Sequence, residues 1–168
     1  CHLLPFDIAE TNISYYALCA LMFSVGLSVG NDPQTLKNFR SLNPRLVFLP
    51  IMTILGTLAG SAAVSLILTH RSITDCLAVG SGFGYYSLSS IFITEYKGAE
   101  LGTIALLANI SREILTLLAA PLLVRWFGNL APISAGGATT MDTTLPIITR
   151  TAGQQFVVVS IFHGFVVD

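Results

Sequence analysis

Charge is scarce in this 168-residue chain: Lys, Arg, Asp and Glu together make up 10% of it, where a soluble domain carries about 25%. The formal net charge is −1, so the basic surface that a nucleic-acid partner needs is missing. Cys1, Cys19 and Cys76 show no paired spacing, which leaves neither a disulfide framework nor a thiolate metal site to expect. His2, His70 and His163 are equally scattered, and no set of residues has metal-ligand spacing. The chain does not open on the basic stretch and apolar core of a cleavable signal, because Cys1, His2, Asp7 and Glu10 occupy that region. The glycines from Gly80 to Gly84 lack the spacing, the preceding strand and the downstream acid of a dinucleotide loop. No cofactor, metal or nucleic acid is therefore expected.

What is abundant is hydrocarbon. Hydrophobic residues make up 53% of the chain and the mean hydropathy is +0.75, which places it in a lipid bilayer. Leu46 to Leu68 runs without a charge and Tyr15 to Gly30 is nearly as apolar, against a spanning requirement of about 20 residues. Spans are expected at Ser14 to Gly30, Leu46 to Leu68 and Leu101 to Trp126, with a last helix from Gln154. Its apolar run Phe156 to Val167 is too short to cross a core of about 30 Å, so continuation beyond Asp168 is expected. Asp168 then lies within the membrane as well. Gly26 with Gly30 and Gly56 with Gly60 form small-xxx-small pairs and are read as helix-packing positions.

Two stretches break this pattern. Val79 to Ser90 (VGSGFGYYSLSS) and Ala135 to Pro146 (AGGATTMDTTLP) collect glycine and hydroxyl residues where plain hydrocarbon is the norm. Irregular backbone at membrane depth survives only inside protein or along a watery cavity, which is where transporters hold their substrates. The fold class is accordingly an all-α, polytopic transmembrane helical bundle with two broken (discontinuous) helices, at Thr74 to Glu95 and Ile133 to Thr149. Residues 1–168 are read as one transporter domain. Ile93-Thr94 with Gly98 recurs as Ile148-Thr149 with Gly153 at a constant offset, a hint that the two interruptions are paired and face each other.

Lysine and arginine set the orientation. Lys37, Arg40 and Arg45 occupy one loop while the first dozen residues carry neither residue type, so the N-terminus is expected to face outward. If both broken segments cross, Lys97 and Arg150 join the cytoplasmic side; if both re-enter, Lys97 exchanges places with Arg125 and the bias is unchanged. Crossing is the preferred reading.

Asp142 is the leading candidate for chemistry, since it lies in a broken segment without a basic neighbour. A charge at mid-membrane costs about 2.5–3.5 kcal/mol, and such groups mark ion or substrate pathways. The bland alternative is an aspartate at a helix start. Arg112 and Glu113 fall at the midpoint of Leu101 to Trp126, and adjacent helix positions cannot simply pair with each other. Asn109, Glu113 and Thr116 share a face, with Arg112 at its edge. Asp142 is a candidate mate for Arg112, and a buried ion pair that only fixes helix register is the structural alternative. Tyr86, Ser87 and Thr140 are candidate ligands for an ammonium or carboxylate, or satisfy the opened backbone. His163, mid-way along the last helix, is a candidate proton relay or a packing histidine.

The strings GSGFGYYSLSS, ELGTIALLANISRE and GGATTMDTTLPIITR, with YALCALMFSVGLSVGND near the start, closely resemble the bacterial lysine exporter family called LysO. The resemblance covers nearly the whole chain. It implies a multi-pass exporter of L-lysine in the bacterial inner (plasma) membrane, coupled to a proton or cation gradient, with no enzymatic activity. By position, the family's glycine-rich motif falls on Gly80 to Ser90, its polar helix on Asn109, Arg112 and Glu113, its intramembrane aspartate on Asp142, and its last helix on His163-Gly164. Full-length members are close to twice as long, so the resemblance implies a C-terminal half. A second chain carrying the N-terminal half, with its own acidic residue, or a second copy of this chain is the implied partner. The competing class is a holin-like or channel-forming subunit without substrate specificity. An intramembrane protease would need a second aspartate, or a nucleophile motif around Ser87 to work with His163.

Overall fold

The computed structural model describes residues 44–68 and 70–168, together with Tyr16, Ala20, Phe23 and Leu27, which are helical. Those four belong to a compact unit of residues 1–40, separate from the unit of residues 41–168. The expected span Ser14 to Gly30 otherwise lies outside the described residues, as do Gly26 and Gly30.

Seven helices are described in the larger unit: α1 (Phe48–Ile67), α2 (Ile73–Gly80), α3 (Tyr86–Lys97), α4 (Ala99–Phe127), α5 (Ala131–Gly136), α6 (Leu145–Ala152) and α7 (Val157–Val167). Short 3-10 turns at Pro44–Val47, Gly137–Met141 and Gln154–Phe156 join them. α1 and α4, with 20 and 29 residues, reach about 30 and 43 Å at ~1.5 Å per residue. Both are long and apolar enough to cross a bilayer.

Polarity is arranged inside out. Leu66, Ile67, Leu107, Leu115, Leu118 and Trp126 are exposed along α1 and α4, while Thr53, Asn109, Thr116, Thr140, Thr144, Ser160 and His163 are buried. Water would penalise such a surface, whereas lipid rewards it, and the buried polar groups must then bond one another. They do: among the described residues no buried side-chain nitrogen or oxygen lacks a partner. The chain is an all-α membrane protein.

α2 and α3 form a hairpin that returns to its starting end. Ser72 caps α2 by accepting from the Asp75 amide, α2 stops after 8 residues, about 12 Å, and the chain reverses through residues 81–85. Lys97 at the end of α3 then pairs with Asp75 at 3.1 Å, and Arg71 pairs with Glu100. Residues 71–75 and 97–100 therefore share one end of the unit, and the crossing preferred for Thr74 to Glu95 is not the geometry found. Eight helical residues are too few to traverse before the glycines turn the chain.

Gly98, at φ +93, links α3 directly into α4, and Thr94 packs where a side chain at position 102 would stand. A second hairpin, α5 and α6, sits at the far end of α4, where Ile133, Ile148, Ala152 and Val159 form a buried cluster with Leu46, Val124, Leu130 and Phe156. Thus the start of α1, the end of α4, the base of α5/α6 and the start of α7 lie together. The expected packing at Gly56 and Gly60 is absent among the described residues, since a Cβ there would meet nothing within 4 Å. α1 instead meets α2 at Ser61, against Gly80.

Candidate functional site

The tips of the two hairpins touch. The Ala138 amide donates to the Phe83 carbonyl at 2.9 Å, and Phe83, Ala138 and Val167 form a buried cluster. Both turns need unusual backbone: φ is +44 at Phe83, +98 at Gly84 and +63 at Gly137. Glycine reaches positive φ without a Cβ clash, and at Gly137 a Cβ would strike the Phe83 carbonyl.

α4 passes behind the junction and braces it from its polar face. Asn109 Oδ1 accepts from the Gly84 amide at 2.9 Å, and its Nδ2 donates to the Ala105 carbonyl at 2.9 Å. One turn further, Arg112 Nε donates to the Ala135 carbonyl at 2.7 Å and Nη2 to the Ser134 carbonyl at 3.1 Å. These are carbonyls of the last turn of α5, which have no helical partner of their own. The guanidinium also sits 6.0 Å from the centre of the Phe83 ring, within cation–π range. The Arg112–Asp142 ion pair considered from the sequence is not formed; among the described residues the ion pairs are Arg71–Glu100 and Lys97–Asp75. Because a guanidinium has five N–H donors, Arg112 keeps donors beyond the two that hold α5.

A second polar chain crosses the unit from α1. Ser134 Oγ lies 2.9 Å from Thr53 Oγ1, which lies 2.9 Å from His163 Nε2. On the other side of the ring, Nδ1 lies 3.4 Å from Thr140 Oγ1, whose own hydrogen goes to the Gly137 carbonyl at 2.7 Å or the Ser160 carbonyl at 2.9 Å. Thr140 can then only accept, so the accounting assigns the ring proton to Nδ1 and the lone pair to Nε2. α7 can come this close because Gly164 faces Ala138 and Met141.

Asp142 lies just beyond the second tip and is exposed. Its Oδ1 accepts from the Thr143 amide and hydroxyl, and Oδ2 has no partner among the described residues. α6 begins at Leu145 with Thr144 as its cap residue, so Asp142 is not the N-cap of that helix. Glu113 is half-buried and makes no hydrogen bond or ion pair with the described residues. Tyr86 opens α3, and Ser87 beside it is exposed. Of the residues singled out from the sequence, Asn109, Arg112, Thr140 and His163 converge on the junction. Tyr86, Ser87 and Asp142 flank it, and Glu113 stands apart. Thr53 and Ser134 were not singled out: Thr53 is a lone hydroxyl in an apolar run, and Ser134 stands at the start of the second broken segment, ahead of its glycine and threonine cluster.

No solved structure matches the chain. Among curated proteins, it is 37% identical over 158 residues to lysine exporter LysO of Escherichia coli strain K12, covering 94% of this chain and 52% of that protein. It is 36% identical over 153 residues to a candidate lysine exporter of Haemophilus influenzae, covering 91% of this chain and 77% of the relative. The chain thus spans about half the length of the first relative. The family model described as lysine exporter LysO matches residues 1–168, and the chain belongs to that family.

Proposed function

We propose that the chain is the membrane core of an L-lysine exporter in the bacterial inner membrane, a secondary antiporter that exchanges lysine for a proton or another cation. The carrying observation is the Phe83–Ala138 junction, where two hairpins entering from opposite ends of the unit meet beside Asn109 and Arg112. On this reading α2/α3 and α5/α6 are re-entrant hairpins, and their tips lie at mid-membrane as in transporters that bind substrate between broken helices. The names of the relatives supply the solute.

The charge pattern supports an orientation. Arg45, Arg125 and Arg150 flank the end where α1 starts, while Arg71 and Lys97 at the opposite end are paired with Glu100 and Asp75. The end that carries these three arginines faces the cytoplasm, by the preference of Lys and Arg for that side, and the N-terminus faces outward. Residues 1–168 act as one transporter domain, completed by a second chain or a second copy.

In the mechanism, the open Oδ2 of Asp142 receives the ammonium of lysine or the coupling cation. Exchange of one cation for the other keeps the carboxylate neutralised, which offsets the cost of a charge in lipid. The spare N–H groups of Arg112 receive the lysine carboxylate, Tyr86, Ser87 and Thr140 supply hydroxyls, Asn109 holds the first tip, and Glu113 is a second acceptor for the cation. His163, bonded through Thr53 to Ser134, carries protons when a proton is the coupling ion.

Counterflow into lysine-loaded proteoliposomes tests this. Saturable, stereospecific uptake of labelled L-lysine is expected, and Asp142→Asn should abolish it while the protein stays folded. Non-saturable leakage of many solutes would replace an exporter by a channel, and wild-type counterflow in Asp142→Asn would remove the carboxylate from the mechanism.

A further inference from the structure

Beside the first hairpin tip, a cavity of about 230 Å³ opens between the 81–85 turn, the start of α3 and the end of α7. One water needs roughly 10–15 Å³ of such space, so the volume suits a chain of several heavy atoms rather than a proton or a bare metal cation. Its walls are apolar where Leu88, Phe92, Ile93 and Val167 face it, and Asp168 supplies a carboxylate. Ser81, Ser89 and Tyr85 add hydroxyls, and among the described residues no Lys or Arg lines the space. Val167 of this wall also packs against Ala138, so the cavity adjoins the second tip.

An apolar slot whose described lining holds one acidic side chain and no basic one selects its occupant. An anion is opposed by Asp168. A hydrophobic solute without charge leaves that carboxylate unpaired, and a compact ion wastes the apolar walls. We propose that this cavity is a specificity pocket for the aliphatic stem of a linear primary ammonium, with Asp168 taking the terminal ammonium. The assignment rests on the lysine-export reading and adds to it the residue that reads the side chain. Asp142 is then left for the second cation, and two carboxylates serve two positive groups.

Binding of labelled L-lysine to the protein in nanodiscs tests the assignment, with melting and gel filtration confirming that each variant is folded. Asp168→Asn should weaken binding at least tenfold and Asp168→Glu less than threefold. Leu88→Trp, which fills the slot without altering a charge, should also abolish binding. L-Norleucine, with the stem but no side-chain ammonium, should not compete with lysine for the wild type. If the wild type binds lysine and both Asp168→Asn and Leu88→Trp bind it equally well, the pocket is overturned while the lysine reading stands. If the wild type binds no lysine but takes n-pentylammonium in an Asp168-dependent way, the pocket stands and the exported solute must be reassigned. Binding of neither overturns both.

Discussion

The main chains of Phe83 and Ala138 are joined by one hydrogen bond, 2.9 Å from amide to carbonyl, although the residues belong to hairpins rooted at opposite ends of the unit. A bond between two backbones leaves no side chain to substitute, so the junction must be probed through what holds it.

Gly137 is the most direct probe. Alanine there would set a Cβ against the Phe83 carbonyl at a φ of +63, and neither backbone can give way cheaply. Alanine at Gly128, φ +88 and ψ 174, meets nothing within 4 Å and costs only the backbone strain of that region, about 1–3 kcal/mol. Gly137→Ala should therefore lower the melting temperature in detergent well beyond Gly128→Ala. Equal shifts would mean that the tips do not touch.

Asn109→Leu removes the acceptor for the Gly84 amide and leaves that donor buried and unpaired, a loss of about 1–3 kcal/mol. The same protein should show faster hydrogen exchange at Gly84. Protection as strong as in the wild type would show that another group holds the amide.

Thr53→Val is nearly isosteric but takes the hydroxyl from between Ser134 and His163. Thr53→Ser retains it. A fall in stability of about 1–3 kcal/mol is expected for valine, from the unpaired buried ring nitrogen, with serine close to wild type. Chemical denaturation in mild detergent separates the two, and indistinguishable variants would dissolve the proposed chain of hydroxyls.

Arg112→Lys should serve worse than its preserved charge implies. The guanidinium reaches two successive carbonyls with Nε and Nη2, while an ammonium is a single point of donation. Reduced thermal stability is expected for lysine, and a larger drop for Arg112→Met, which leaves both carbonyls unpaired. If methionine were neutral, the arginine would have no part in holding α5.

The helical class and the membrane setting were legible from composition, because lipid demands long uncharged runs and internally satisfied backbone. Leu46 to Leu68 encloses the observed Phe48–Ile67, and Leu101 to Trp126 lies within the observed Ala99–Phe127. The two places where helix stops were legible as well, since glycine and hydroxyl clusters change local backbone preference wherever they occur. The return of α2/α3 was not. It depends on Asp75 meeting Lys97 and on Arg71 meeting Glu100, pairings between segments whose charges, counted alone, fit either topology.

Local chemistry thus set which stretches are apolar, which are helical and where helix gives way, because each depends on a residue and its near neighbours. Folding decided the partners: Asn109 for Gly84, Arg112 for the end of α5 rather than for Asp142, and Thr53 for His163. Those bonds join residues distant along the chain, and only packing sets which buried donor finds which acceptor once water is excluded.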